Sequence, residues 1–207
     1  MSMAILGILV DWFGGAIVSL PLTMVFMGLA DRKRFSKMWV WAALFVLYMN
    51  AMLIIVGTPA ISYIVWDPTI NYLPFSDFSM SNMIGMALNI VMFIPFGVLL
   101  PIYFGFFRKA RRTVLAGFLM SLSIEVLQLF TFRATDVDDL MMNTLGALAG
   151  YGIAWLFLRK CEHSEPANQD IMKLVVMISI IVFIIAFVRY PLVSLLFDLF
   201  NFQGTSE

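Results

Sequence analysis

Apolar residues fill six long stretches of this chain, at about 12–30, 38–57, 83–106, 113–132, 139–158 and 172–191, with short polar clusters between them. Each is close to the ~20 residues a helix needs to cross a ~30 Å hydrocarbon layer. In lipid such a stretch must be helical, because an isolated strand leaves its backbone donors and acceptors unsatisfied, and no stretch alternates in the manner of a barrel strand. The pattern predicts an all-α fold: a polytopic membrane helix bundle of about six transmembrane helices. It divides the chain into two N-terminal helices over 1–60, a core with an outer loop and three helices over 61–158, and a loop with a final helix over 159–207. The start, MSMAILGILVDW, has no basic n-region and runs directly into a long span, so no cleaved signal peptide is expected.

Composition agrees: 62% of residues are hydrophobic, 13% are charged, and the mean hydropathy is +0.95. A soluble surface for 207 residues would need far more charge. The balanced net charge says little about partners, and no nucleic acid is expected among them. Charge placement adds orientation, since Arg32, Lys33, Arg34 and Lys37, then Arg108, Lys109, Arg111 and Arg112, then Arg159, Lys160 and Lys173 fall in alternate connections, leaving Arg133 and Arg189 opposite. By the positive-inside rule those connections are cytoplasmic and both termini extracytoplasmic. The single cysteine, Cys161, rules out an intramolecular disulfide and a cysteine metal cluster, and His163 reads as a solvated loop residue.

The connection at about 58–82 is the longest. It holds Pro59, Pro68 and Pro74, five aromatics (Tyr63, Trp66, Tyr72, Phe75, Phe78), and no Lys or Arg. Such rings settle at the headgroup level, so an interfacial lid and a plain aromatic belt both fit.

Polar residues inside the spans carry the functional signal, because an ionisable group at the bilayer centre costs ~2.5–3.5 kcal/mol on insertion scales. Glu125 lies thirteen residues beyond Arg112, roughly 20 Å up its helix and in the outer half of the bilayer. Asn89, six residues past Met83, and Asn143, four past Asp139, descend about 9 and 6 Å into the same layer, with Asp11 at its rim. Helical spacing gives each helix a stripe: Ser121, Glu125 and Gln128; Asp139, Asn143, Gly146 and Gly150; Asn82, Gly85 and Asn89. The Gly146/Gly150 pair reads as a close-packing device, and the two asparagines serve equally well as interhelical glue or as ligand contacts.

These residues fall into the segments NYLPF (71–75), NIVMFIPFG (89–97), IEVLQ (124–128) and RATDVDDLMMNTLGALAG (133–150). In order and spacing they resemble the VanZ-like family, integral membrane proteins associated with glycopeptide (teicoplanin) resistance. The resemblance covers about Asn71 to Trp155 and leaves out the first two helices and the last. It carries over onto Asn71, Pro74, Phe75, Asn89, Phe93, Pro95, Gly97, Glu125, Gln128, Arg133, Asp136, Asp138, Asp139, Asn143, Gly146 and Gly150. It implies a bacterial plasma-membrane location and a role in resistance at the cell envelope, with no settled reaction.

Chemistry must come from the residues. In Arg133-Ala-Thr-Asp136-Val-Asp138-Asp139, Asp136 can cap the fifth helix and the other carboxylates can complement its dipole. Glu125 has no cap to make, and Arg133 is its obvious partner. Three readings follow. In the first, Asn71, Asn89, Glu125, Gln128, Arg133, Asp136, Asp139 and Asn143 bind the headgroup of a membrane lipid or lipid-linked envelope molecule. In the second, a hydrolase or transferase uses Glu125, Asp138 and Asp139 as acid, base or catalytic carboxylates, with Asp136, Asp138 and Asp139 as oxygen ligands for a divalent cation such as Mg²⁺ or Ca²⁺. Against the third, a transporter, the inner halves of the helices carry almost no polar residues, so no pathway to the cytoplasm is visible. The sequence leaves open whether the protein is an enzyme.

Overall fold

A computed structural model describes residues 3–59, 64, 66, 70–75, 79–131, 135–159 and 169–199. Its helices are α1 (Met3–Ala30), α2 (Arg32–Ile55), α3 (Met80–Tyr103), α4 (Ala110–Gln128), α5 (Val137–Leu158), α6 (Gln169–Phe183) and α7 (Arg189–Leu199). A π-helical turn, Ile184–Val188, joins α6 to α7 without a break. Pro191 accounts for that turn: it brings no N–H and its ring crowds the carbonyl one turn earlier, so the ladder widens just before it. α6 and α7 together thus make the sixth predicted rod.

The membrane-bundle expectation holds, and the six predicted stretches appear as six helical rods. Five of the described helical rods are long and apolar enough to cross a bilayer, namely Gly7–Ala30, Arg32–Ile55, Met80–Tyr103, Val137–Leu158 and Gln169–Leu195. α4 is not among them. Its 19 residues open with Arg111 and Arg112 and include Ser121, Ser123, Glu125 and Gln128. The helix also stops at Gln128, short of the predicted end at 132, as the chain turns at Leu129 to Thr131. α4 owes its place to its neighbours: Thr113, Ser121, Glu125 and Gln128 are all buried against protein.

Packing builds the site outward from α3 and α5. At Gly97, Gly146 and Gly150 a Cβ would overlap the backbone of the facing helix, at the carbonyls of Ala147, Ile90 and Ile94 respectively. Only glycine permits that approach, which answers the small-residue stripe read from the sequence. α4 joins through Gly117, where a Cβ would overlap the Ala147 side chain. α2 lays Phe45 against α3, its ring centroid 6.1 Å from that of Phe96.

Two further contacts fix the ends. The loops before α3 and α5 pair as a short parallel ladder, β1 (Ile70–Asn71) with β2 (Thr135–Asp136). At the other end Asp31, the single residue between α1 and α2, caps α2 at the Arg34 N–H and takes Lys173 Nζ at 2.9 Å. Arg34 Nη1 reaches buried Asp170 at 2.6 Å, and Asp170 also accepts the Phe106 N–H. Burial alone would raise the Asp31 carboxyl, but Lys173 and Arg34 outweigh it and hold the group below its usual value.

Candidate functional site

At the end of the bundle where α4 finishes and α5 begins, a cavity of about 70 Å³ is lined by Ile55, Val56, Asn89, Met92, Ile124, Glu125, Gln128, Asp139 and Asn143. That is room for a few waters or one small polar group. Ile55 is 56% exposed, so the cavity lies close to the bundle surface. Asn89, Glu125 and Asn143, placed in one layer by helical rise, do stand together there. Gln128 and Asp139 complete the polar lining.

Each amide in the cavity donates one N–H to the protein. Asn89 Nδ2 donates to Asp139 Oδ1. Asn143 Nδ2 donates to Ser121 Oγ at 2.9 Å, and Gln128 Nε2 to the Val56 carbonyl at 3.2 Å. A carbonyl can only accept, so the Val56 contact fixes which way the Gln128 amide points. Its Oε1 and, separately, the Oδ1 of Asn143 are buried with no hydrogen-bond partner among the described residues; the two side chains belong to residues only 6% and 2% exposed. An unmade hydrogen bond of this kind costs ~1–3 kcal/mol. With the Glu125 and Asp139 carboxylates beside them, the described lining is dominated by acceptors.

Glu125 corrects the sequence reading. It does make a cap-like contact: its Oε2 accepts the backbone N–H of Asp136 at 3.0 Å, while Thr135 Oγ1 donates to the Glu125 carbonyl. The carboxylate therefore ties α4 to the start of α5. Arg133, expected as its partner, lies outside the described residues, as do Tyr63, Pro68, Phe78, Cys161 and His163.

Asp136 and Asp138 turn away from the cavity, a second correction. Asp136 caps α5 through the Asp138 N–H at 2.8 Å and takes Asn71 Nδ2 at 3.1 Å with its other oxygen. Asp138, 1% exposed, receives the Phe75 N–H at 3.0 Å on both oxygens. Phe75 sits at φ 55°, a left-handed conformation unusual for a bulky residue, and this buried carboxylate holds its N–H there. Asn71 likewise serves the loop rather than the cavity lining. The three aspartates thus do not converge as the cation ligands read from the sequence, and among the described residues no group of three or more His, Cys, Asp or Glu could hold a metal ion. Asp11 does not line the cavity either.

Sequence reasoning missed the contribution of α2, whose last turn supplies Ile55 and the Val56 carbonyl. Buried Asn50 and Thr58 were the available signal, polar positions framing a stretch that was otherwise read as plain span. The VanZ/LLP1 family model matches residues 45–158, from the middle of α2 to the end of α5. The chain belongs to the VanZ/LLP1 family. It is also 30% identical over 122 residues to Protein VanZ of Enterococcus faecium, an alignment covering 56% of this chain and 67% of that protein. No solved structure matches it. The VanZ/LLP1 match starts earlier than the Asn71 read from the motifs, which agrees with α2 forming a wall of the cavity. All five polar residues of the lining lie within it.

Proposed function

We propose that this membrane protein contributes to glycopeptide resistance of the teicoplanin type by holding the headgroup of an amphiphilic or lipid-linked envelope molecule in the cavity between α2, α3, α4 and α5. Membership of the VanZ/LLP1 family supports the resistance role. The observation that carries the binding role is the pair of buried, unpartnered acceptors, Gln128 Oε1 and Asn143 Oδ1, beside Glu125 and Asp139. Leaving them unmade costs ~1–3 kcal/mol each, which a ligand bearing hydroxyl or amine donors would recover. The cavity holds one small group, and the rest of an amphiphile would lie along the exposed apolar surface near Ile55 and Leu88.

In this reading the protein is a multi-pass component of the bacterial plasma membrane. The basic connections gather at the end opposite the cavity, which supports both termini and the cavity facing outward. The loop of Tyr72, Leu73 and Phe75, fastened by Asp136 and Asp138, then covers the outer interface.

Resistance measurements in cells test the proposal. Gln128→Leu and Asn143→Leu, at matched membrane abundance, lower the teicoplanin concentration tolerated, and Glu162→Gln in the remote connection does not. Full protection by both leucine variants would sink the headgroup site. Loss of turnover with retained lipid binding in Glu125→Gln and Asp139→Asn would instead favour catalysis.

A further inference from the structure

The opposite end of α4 and α5 carries a second concavity, of about 440 Å³, lined by Arg108, Lys109, Ala110, Tyr151, Trp155, Leu158 and Arg159. We propose that it is a binding site for the phosphate headgroup of an acidic membrane lipid, held by Lys109 and Arg159 with Arg108 and with the acyl chains lying past Trp155 and Leu158.

Three cations line this concavity, and among the described residues no carboxylate does. Orientation rules require basic residues on a membrane face, but not that three of them from two connections share one hollow. The hollow is built rather than incidental. Tyr151 Oη donates to the Arg108 carbonyl at 2.9 Å, which locks α5 to the turn before α4. The Arg159 guanidinium lies 5.4 Å over the Trp155 ring, which orients that arm. α4 begins at Ala110, so the positive end of its dipole adds to the same field.

Position identifies the anion. Arg159 follows Asp139 by twenty residues of helix, about 30 Å, so the hollow lies one hydrocarbon thickness from the cavity, at the level of the lipid phosphates. Its rim is apolar and faces lipid: Trp155 is 48% exposed, and the neighbouring Leu156 and Phe157 are exposed as well. Basic pockets between helices at this level suit acidic headgroups. A soluble phosphate compound would share the cations but gain nothing from that rim.

The test is lipid binding to the full chain in mild detergent, read by native mass spectrometry against dioleoyl phosphatidylglycerol and dioleoyl phosphatidylcholine. The parent prefers phosphatidylglycerol. Each cation near such a surface is worth about fivefold in affinity, so Lys109→Gln/Arg159→Gln weakens phosphatidylglycerol binding about 25-fold. Arg159→Lys retains most of it. Arg32→Gln/Lys33→Gln removes equal charge from exposed positions on the same face and changes binding less than twofold. The proposal is overturned if the pocket variant binds like the parent, or if the Arg32/Lys33 variant loses as much, since attraction would then be general. Saturation by millimolar inorganic phosphate that phosphatidylglycerol cannot displace would overturn the lipid assignment. Unchanged thermal melting of the variants separates lost binding from lost fold.

Discussion

Gly150→Ala probes the contact on which the cavity depends. The added Cβ would overlap the Ile94 carbonyl and come within 2.9 Å of Gly97 Cα, both of them backbone atoms of α3. No side chain can swing aside, so α3 and α5 must part by roughly 0.5–1 Å, which forfeits a quarter to a half of each affected van der Waals contact. In lipid no hydrophobic force between helices compensates, and an overpacked core of this kind costs ~1–3 kcal/mol. Asn143 stands two turns from Gly150, so the movement also stretches the Asn89–Asp139 hydrogen bond. Unfolding by increasing SDS in mixed micelles, followed by far-UV circular dichroism, measures the loss, with Gly152→Ala as control because a Cβ there meets nothing within 4 Å. Equal stability of the Gly150 and Gly152 variants would refute the close-contact argument.

Other expectations are more local. Asp136→Ala removes both the α5 cap and the Asn71 contact and lowers stability by about 1–2 kcal/mol, with faster proteolysis of the outer loop. Gln128→Leu, which deletes an unpartnered buried acceptor but also strands the Val56 carbonyl, changes stability by less than about 1 kcal/mol while abolishing resistance; equal loss of both would point to a structural amide. Asp31 gives a pH signature. Its carboxyl sits below the usual 3.8 in the folded protein, so its contribution is complete above that value and fades as pH falls through the lower folded value. Asp31→Asn therefore flattens the melting temperature between pH 5 and 3, by a small amount because the side chain is 28% exposed, and an acid limb as steep as the parent's would exclude this linkage.

Hydrophobic run length, which the bilayer thickness constrains, was enough for the class of fold and the approximate rods. Helical rise was enough to bring Asn89, Glu125 and Asn143 to one level, and helical period to put Gln128 and Asp139 on the same stripes, because both are fixed by backbone geometry. Residue identity alone also marked Gly146 and Gly150 as contact points. Tertiary structure decided the rest, since a hydrogen bond depends on which atoms meet and not on which residue types are present. It turned Asp136 and Asp138 from cation ligands into loop fastenings and gave Glu125 the Asp136 N–H. It brought in the Val56 carbonyl of a helix that seemed to lie outside the core, and so left the carbonyl oxygens of Gln128 and Asn143 facing a cavity with nothing to accept. It also gathered Arg108, Lys109 and Arg159, scattered along the chain as an orientation signal, into one hollow, because only the crossing of α4 and α5 sets the distance between them.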